Sequence, residues 1–320
     1  MELSVVVRAR EEGARPEETI SVARIADDLG YRELWIGEGP GWDAFVLATA
    51  VGIATKRAAL TVGPVPVSVR DPATISRGAA SVASVIDRPV GVALGTASVR
   101  VVEKLHGRSR HKSVTDLRES ARAIRELIDG TAQSGWQGDP DARFLRRLGT
   151  PSGPVTVAAF GDRAIQIAAD YADRMLLDLV TTEQVAALRS KLERSAGSRT
   201  RPKLAAWLPA AVDPTEESLH QVLESIAGYL TIGGYREMFL DAGFGEAVER
   251  ARSGAEISEV VEALPDDAAG IVGLVGDRSA IGARLEAYAE AGLDEVAIVP
   301  VTAGDSNGER TLGEMQSLVR

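Results

Sequence analysis

Residues able to do chemistry gather in a few short segments, each at the end of an apolar run. In Gly37-Glu38-Gly39-Pro40-Gly41-Trp42-Asp43-Ala44, three glycines and a proline surround a carboxylate and an indole. Such a turn can press bare backbone against a flat ligand, with Glu38 placed for proton exchange or ring contact and Trp42 for stacking. The plainer reading is a capping turn in which Asp43 starts the next helix. Further on, Val62-Gly63-Pro64-Val65-Pro66-Val67 puts two prolines inside a strand-like run. Proline cannot donate to a ladder, so the strand must bulge or end there. Either it stops early and an extended loop follows, or a cis bond at Gly63–Pro64 makes a shelf for a ring. Gly95-Thr96-Ala97-Ser98 offers amides and hydroxyls to an anion or a ring edge. In Ala158-Ala159-Phe160-Gly161-Asp162-Arg163 a glycine opens a helix whose first amides favour phosphate. The basic run Arg100, Lys104, Arg108, Arg110, His111 and Lys112 either draws a polyanionic ligand or is a solvated loop.

Several chemistries are excluded. The chain has no cysteine, which removes disulfides, thiolate nucleophiles and iron–sulfur sites. Its histidines are His106, His111 and His220. Neither of the first two has a carboxylate or second histidine at ligand spacing, so no metal site is expected, and His220 is expected at the surface. There is no Ser-His-Asp set, nucleophile elbow or P-loop, and Gly273-Leu274-Val275-Gly276 is a lone glycine pair. A formal net charge of −10 argues against nucleic acid as a partner. No apolar run approaches the roughly 18 residues of a spanning helix, and Met1-Glu2-Leu3-Ser4 leads straight into an apolar strand. A cytoplasmic protein without membrane partners is the expectation.

The elements that must hold these segments alternate along the chain. Strands are expected near Leu3–Val7, Glu33–Gly37, Ala59–Val65, Val90–Leu94, Val155–Ala159, Arg174–Leu177, Leu204–Pro209 and Glu295–Val299. Helices are expected at Pro16–Leu29, Trp42–Thr55, Pro72–Ile86, Thr115–Ile128, Arg163–Tyr171, Thr182–Ala196 and Arg278–Ala291. Eight βα units of this kind suit one (β/α)8 barrel domain spanning residues 1–320, with active-site residues at the C-terminal strand ends. Two units repeat: Asp28 to Ile36 and Glu290 to Ile298 each run through a glycine cap and polar residues into an apolar strand. Two insertions are expected, an irregular excursion at Gly130–Pro154 and two or three helices within Pro214–Pro265, broken at Gly233-Gly234 and Gly243.

Taken in order, these segments resemble the luciferase-like monooxygenase superfamily, in its coenzyme F420-dependent oxidoreductase branch. The resemblance covers nearly the whole chain. It is carried by Leu29-Gly30-Tyr31 through Trp35, Glu38 with Gly41-Trp42-Asp43-Ala44, and Pro66-Val67-Ser68-Val69-Arg70-Asp71-Pro72-Ala73. Further along it rests on Gly95-Thr96-Ala97, Val101-Val102-Glu103, His106-Gly107, Leu117-Arg118-Glu119, Ala158-Ala159 with Gly161, and Tyr288 through Val299.

The resemblance implies a deazaflavin or flavin ring lying over the bulge at Gly63, Pro64 and Val65, approached from Glu38-Gly39 and Gly95-Thr96. The phosphate-bearing tail would lie near Ala159-Phe160-Gly161, with Arg108 and Lys112 for its charge. Many relatives carry a histidine after the acid, where this chain has Gly39, and some carry a glutamate at the position of Ser98. Reduction of an activated alkene or imine, with hydride passed from deazaflavin C5, therefore fits better than sugar-phosphate oxidation. Glu38 and Trp42 are the expected catalytic residues, and a homodimer is implied. The resemblance also leaves open an FMN-dependent monooxygenase served by a flavin reductase, and a homologue that binds cofactor without turnover.

Overall fold

The computed structural model describes residues 1–7, 16–39, 41–129 and 149–319, and the chain packs as two compact units. One holds Ser4–Leu176 with Lys191–Lys203; the other holds Met1–Leu3, Leu177–Ser190 and Leu204–Arg320. Parallel strands alternate with helices in both, as the (β/α)8 barrel class requires.

The first unit is built from β1 (Glu2–Val7, from Ser4), α1 (Pro16–Leu29), β2 (Glu33–Ile36), α2 (Ala44–Ala54) and β3 (Ala59–Pro66). It continues through α3 (Pro72–Ile86), β4 (Val90–Gly95), α4 (Ser113–Ile128), β5 (Ser152–Ala158), α5 (Asp162–Tyr171) and β6 (Arg174–Asp178, as far as Leu176). Neighbouring strands are parallel, with Val7 beside Ile36, Ile36 beside Val62, Leu94 beside Val157 and Ala158 beside Leu176. Strands covered on both faces need continuous apolar runs, and β4, Val90 to Gly95, is buried at every residue. Helix ends follow local chemistry. Gly30 takes φ +92 after α1, the left-handed turn that only glycine adopts without strain. Asp71 accepts the amide of Thr74 at 2.9 Å to start α3, with Pro72 in the first turn.

The starts of these strands enclose a charged network. Arg174, 4% exposed, grips Glu33 through both terminal nitrogens at 2.7 and 2.9 Å. It also donates to Thr61 and Thr156 at 3.0 and 3.2 Å, and its guanidinium lies 4.0 Å over the Trp35 ring. The Trp35 indole donates in turn to Ser4 Oγ at 3.0 Å. A buried cation persists only when its donors are met in this way.

The second unit carries α6 (Thr182–Ala196, as far as Ser190) and β7 (Lys203–Val212, from Leu204). It continues with α7 (Glu216–Tyr229), α8 (Tyr235–Asp241), α9 (Gly245–Arg252), α10 (Ile257–Glu262) and α11 (Ala268–Ile271). Then come β8 (Leu274–Gly276), α12 (Arg278–Glu290), β9 (Glu295–Pro300) and α13 (Glu309–Leu318). β7 pairs in parallel with β9, from Ala205 beside Glu295 to Ala210 beside Pro300, and with β8 at Ala210 beside Leu274.

The eight expected strands are all present, with three corrections to the organisation. Leu274–Gly276, read as a lone glycine pair, is a short ninth strand on β7. Pro214–Pro265 holds four helices instead of two or three, because Gly254 at φ +80 adds a left-handed break to those at Gly234 and Gly243. β5 begins at Ser152, earlier than expected. Glycines let the two backbones meet there, since a Cβ on Gly153 would stand 2.1 Å from the Gly91 amide nitrogen. Residues 130–148 of the expected excursion lie outside the described residues.

Candidate active site

At the end of β2 the chain turns outward through Gly37-Glu38-Gly39. Asp43 caps α2, its carboxylate accepting the amides of Phe45 and Val46 at 2.9 and 3.1 Å, so the expected capping role holds. The same carboxylate accepts a hydrogen bond from Arg70 Nη2 at 2.7 Å. Arg70 stands after β3 and also grips Glu38, with Nε 3.0 Å from both carboxylate oxygens and Nη2 2.7 Å from one. The Glu38 and Arg70 side chains are only 13% and 17% exposed. The guanidinium also lies 5.6 Å from the Phe45 ring centre.

Two carboxylates share one guanidinium here, and their proton affinities part. Burial pushes the Glu38 carboxyl up, and the neighbouring Asp43 charge adds to this; Arg70 and the charge of His106 oppose it, and the net direction is upward. For Asp43 burial also pushes up, but Arg70 and the two backbone amides outweigh it and hold the carboxyl low. A pair of acids whose surroundings push them apart is the usual raw material for proton chemistry at one of them.

Strand β3 does not end early. Its register with β4 shifts between Val62 and Val65, so Gly63 and Pro64 form a bulge within a strand that runs on to Pro66. The Gly63–Pro64 bond is cis, the second of the two readings open from the sequence. Only glycine fits at position 63, where φ is +120 and a Cβ would stand 2.3 Å from the Ala93 carbonyl oxygen. Gly63 and Val65 are buried, and Pro64 between them is partly exposed. At the next strand end, a Cβ on Gly95 would lie 3.3 Å from Pro64 Cβ and 3.9 Å from Ala158 Cβ, so the ends of β3, β4 and β5 meet around a bare backbone.

The chain leaves β4 through Ala97, held at φ +51, into a π-helical turn over Arg100–Leu105. Strain and π-turns of this kind concentrate at functional positions. Arg110 folds back on the strand end, donating from Nε to the Ala97 carbonyl at 2.8 Å and from Nη2 to the Thr96 hydroxyl at 3.2 Å. The rest of the basic run is exposed, including Arg108 and Lys112. Gly161 caps α5, with Ala159 buried and Phe160 half-buried before it, and Trp42 is 37% exposed ahead of α2. Cβ atoms built on Gly39, Gly41 and Gly161 would meet nothing within 4 Å. His220 is exposed and pairs with Glu224 on its own helix at 3.3 Å.

Of the residues singled out from sequence, the structure brings together Gly63, Pro64 and Gly95 at one bulge. It also pairs Arg70, to which the sequence reading gives no site role, with Glu38, and Arg110, a member of the basic run, with Thr96. Arg70 lay within the segment carrying the family resemblance. It follows the C-terminal end of β3, where side chains of the site are sought, but the prolines of that strand hid where the strand stopped. Arg110 was seen only as one charge in a run.

A luciferase-like monooxygenase family model matches residues 1–295. The chain therefore belongs to the luciferase-like monooxygenase family, a family of enzymes. Among solved structures it is similar to the coenzyme F420 dependent tetrahydromethanopterin reductase from Methanopyrus kandleri, with a TM-score of 0.79 and 15% identity over 99% of this chain and 98% of that one. It is equally similar, at 0.79 and 19% identity over the full length of both chains, to an F420-dependent secondary alcohol dehydrogenase in complex with an F420-acetone adduct. A type II Baeyer-Villiger monooxygenase of Pseudomonas putida, in complex with FMN, matches at 0.69 and 15% identity over 100% of this chain and 98% of that one. These likenesses show the fold, a (β/α)8 barrel. No protein of curated function matches significantly in sequence. Among the described residues no helix is long and apolar enough to cross a membrane.

Proposed function

We propose that the protein is a coenzyme F420-dependent oxidoreductase that transfers hydride between deazaflavin C5 and a small organic substrate, with an activated alkene or imine as the favoured substrate class. The observation that carries this reading is the bare-backbone shelf. Gly63, Pro64 and Gly95 present little side chain where the ends of β3, β4 and β5 meet, and Gly39 and Gly161 border open space. That arrangement suits a flat ring. The donor set suits an anionic tail: the α5 amides behind Gly161 and the exposed cations Arg108 and Lys112. The higher similarity to two F420 enzymes than to the FMN enzyme supports the choice of coenzyme.

In this reading the bound deazaflavin supplies the redox chemistry, and the protein supplies binding, orientation and electrostatics. The backbone of Gly63 to Val65 and of Gly95-Thr96 supports the ring. Glu38 approaches it with Gly39 and holds or passes a proton, and Trp42 closes the outer side by stacking. Ala159-Phe160-Gly161 takes the tail. The protein acts as a homodimer in the cytoplasm. Exposed Val46 and Ile53 on α2, a helix without a charged residue, support the dimer.

The test is turnover. Under nitrogen, the protein with reduced F420 and a panel of electron-poor alkenes and imines should regenerate the oxidised coenzyme's absorbance. The family also contains monooxygenases, which favours FMN with a flavin reductase as the second reading. Incorporation of oxygen into an organic product with reduced FMN only when the protein is present, and no oxidation of reduced F420 by any member of the panel, would replace the first reading with the second.

A further inference from the structure

We propose that Arg70 is a positioning residue of this site: its fork fixes the orientation and charge state of Glu38 while sharing one nitrogen with the helix cap Asp43. The inference rests on the proposed function only in taking Glu38 as a site residue. Three hydrogen bonds engage both Glu38 oxygens, and a fourth engages Asp43 Oδ2. Planar bidentate contact of this kind holds a carboxylate in one rotamer, which a single-point ammonium does not. The pair is largely shielded from water, so the geometry is worth more than in an exposed ion pair.

The arrangement also ties the site to the scaffold. Arg70 sits between the bulged strand and α3, two residues before Pro72, and its amide donates to the Pro66 carbonyl at 3.0 Å. Asp43, caught by the same guanidinium, is fixed by the first turn of α2. Glu38 itself lies between Gly37 and Gly39, outside any strand or helix. Arg70 supplies the hydrogen bonds that fix the Glu38 side chain in this shielded setting.

The charged groups facing Glu38 are Arg70 after β3, Asp43 at the start of α2 and His106 after the π-turn. Arg70 and Asp43 act in opposite directions on the Glu38 proton, which gives a two-sided test. Carbon-13 in the glutamate side-chain carboxyls, followed by NMR across pH in the cofactor-free protein, reads Glu38 directly once Glu38→Gln has assigned its signal. Arg70→Gln should raise the Glu38 midpoint by about one pH unit or more, and Arg70→Lys should raise it less. Asp43→Asn keeps an oxygen for the cap and should lower the midpoint. If Arg70→Gln does not fold, Arg70→Lys and Asp43→Asn still decide the matter. A Glu38 midpoint that stays unchanged in the Arg70 variant and in Asp43→Asn would overturn the proposal. The measurement needs no cofactor, so a protein that binds neither F420 nor FMN would refute the proposed function and leave this result standing on its own.

Discussion

At the scale of single residues, the chain uses buried carboxylates in two ways. Glu38 sits where burial raises its proton affinity against the grip of Arg70. Asp27, 2% exposed, holds the turn between α2 and β3. Burial pushes its carboxyl up, but the amides of Lys56, Ala58 and Arg57, at 2.9, 2.8 and 3.0 Å, together hold it below the usual range. A carboxyl depressed in the folded state contributes stability that is complete above its unfolded value and is lost as pH falls through the folded one. We expect Asp27→Asn to cost about 2 kcal/mol at neutral pH, measured by urea unfolding. The gap between variant and parent should shrink on acidification below the ordinary aspartate range; a constant gap would contradict this account. Glycines, prolines and Glu38 marked in the sequence the strand ends where the candidate site lies. Which cation meets which acid was not. Arg70 and Glu38 are 32 positions apart, and only the parallel register of β2 and β3 makes them neighbours.

At the scale of elements, the sequence was most reliable where capping chemistry is explicit. α1, α3 and α6 begin and end where predicted, and Gly30 and Gly292 both take the left-handed conformation that the repeated cap implies. It was least reliable where glycine creates structure by close approach instead of by a turn. The early start of β5 depends on backbones meeting across strands, which no periodicity reveals. α2 shows the same close packing toward α3, where a Cβ on Gly78 of α3 would stand 2.9 Å from the Phe45 ring. Its outer side exposes Val46 and Ile53 at 60% and 70%. If that side supports the proposed homodimer, Val46→Lys with Ile53→Lys should yield monomers in light scattering while the circular dichroism spectrum is kept. A parent protein that is itself monomeric at working concentration would refute the dimer.

At the scale of the whole molecule, the fold class was legible because it rests on repetition. Eight apolar runs, each followed by a helical pattern, leave few alternatives once crossover handedness is fixed. The chemistry was less legible, because the proposed reaction rests its hardest step on a cofactor and leaves the chain mostly the surfaces that would hold it. With a net charge of −10, the protein can attract an anionic cofactor only through local cations such as those of the basic run. The choice of coenzyme decides the reaction. Its most direct test is to titrate the purified protein with F420 and with FMN in parallel, following quenching of cofactor fluorescence. We expect F420 to bind in the micromolar range and FMN at least about tenfold more weakly. Micromolar binding of FMN without binding of F420 would contradict the account.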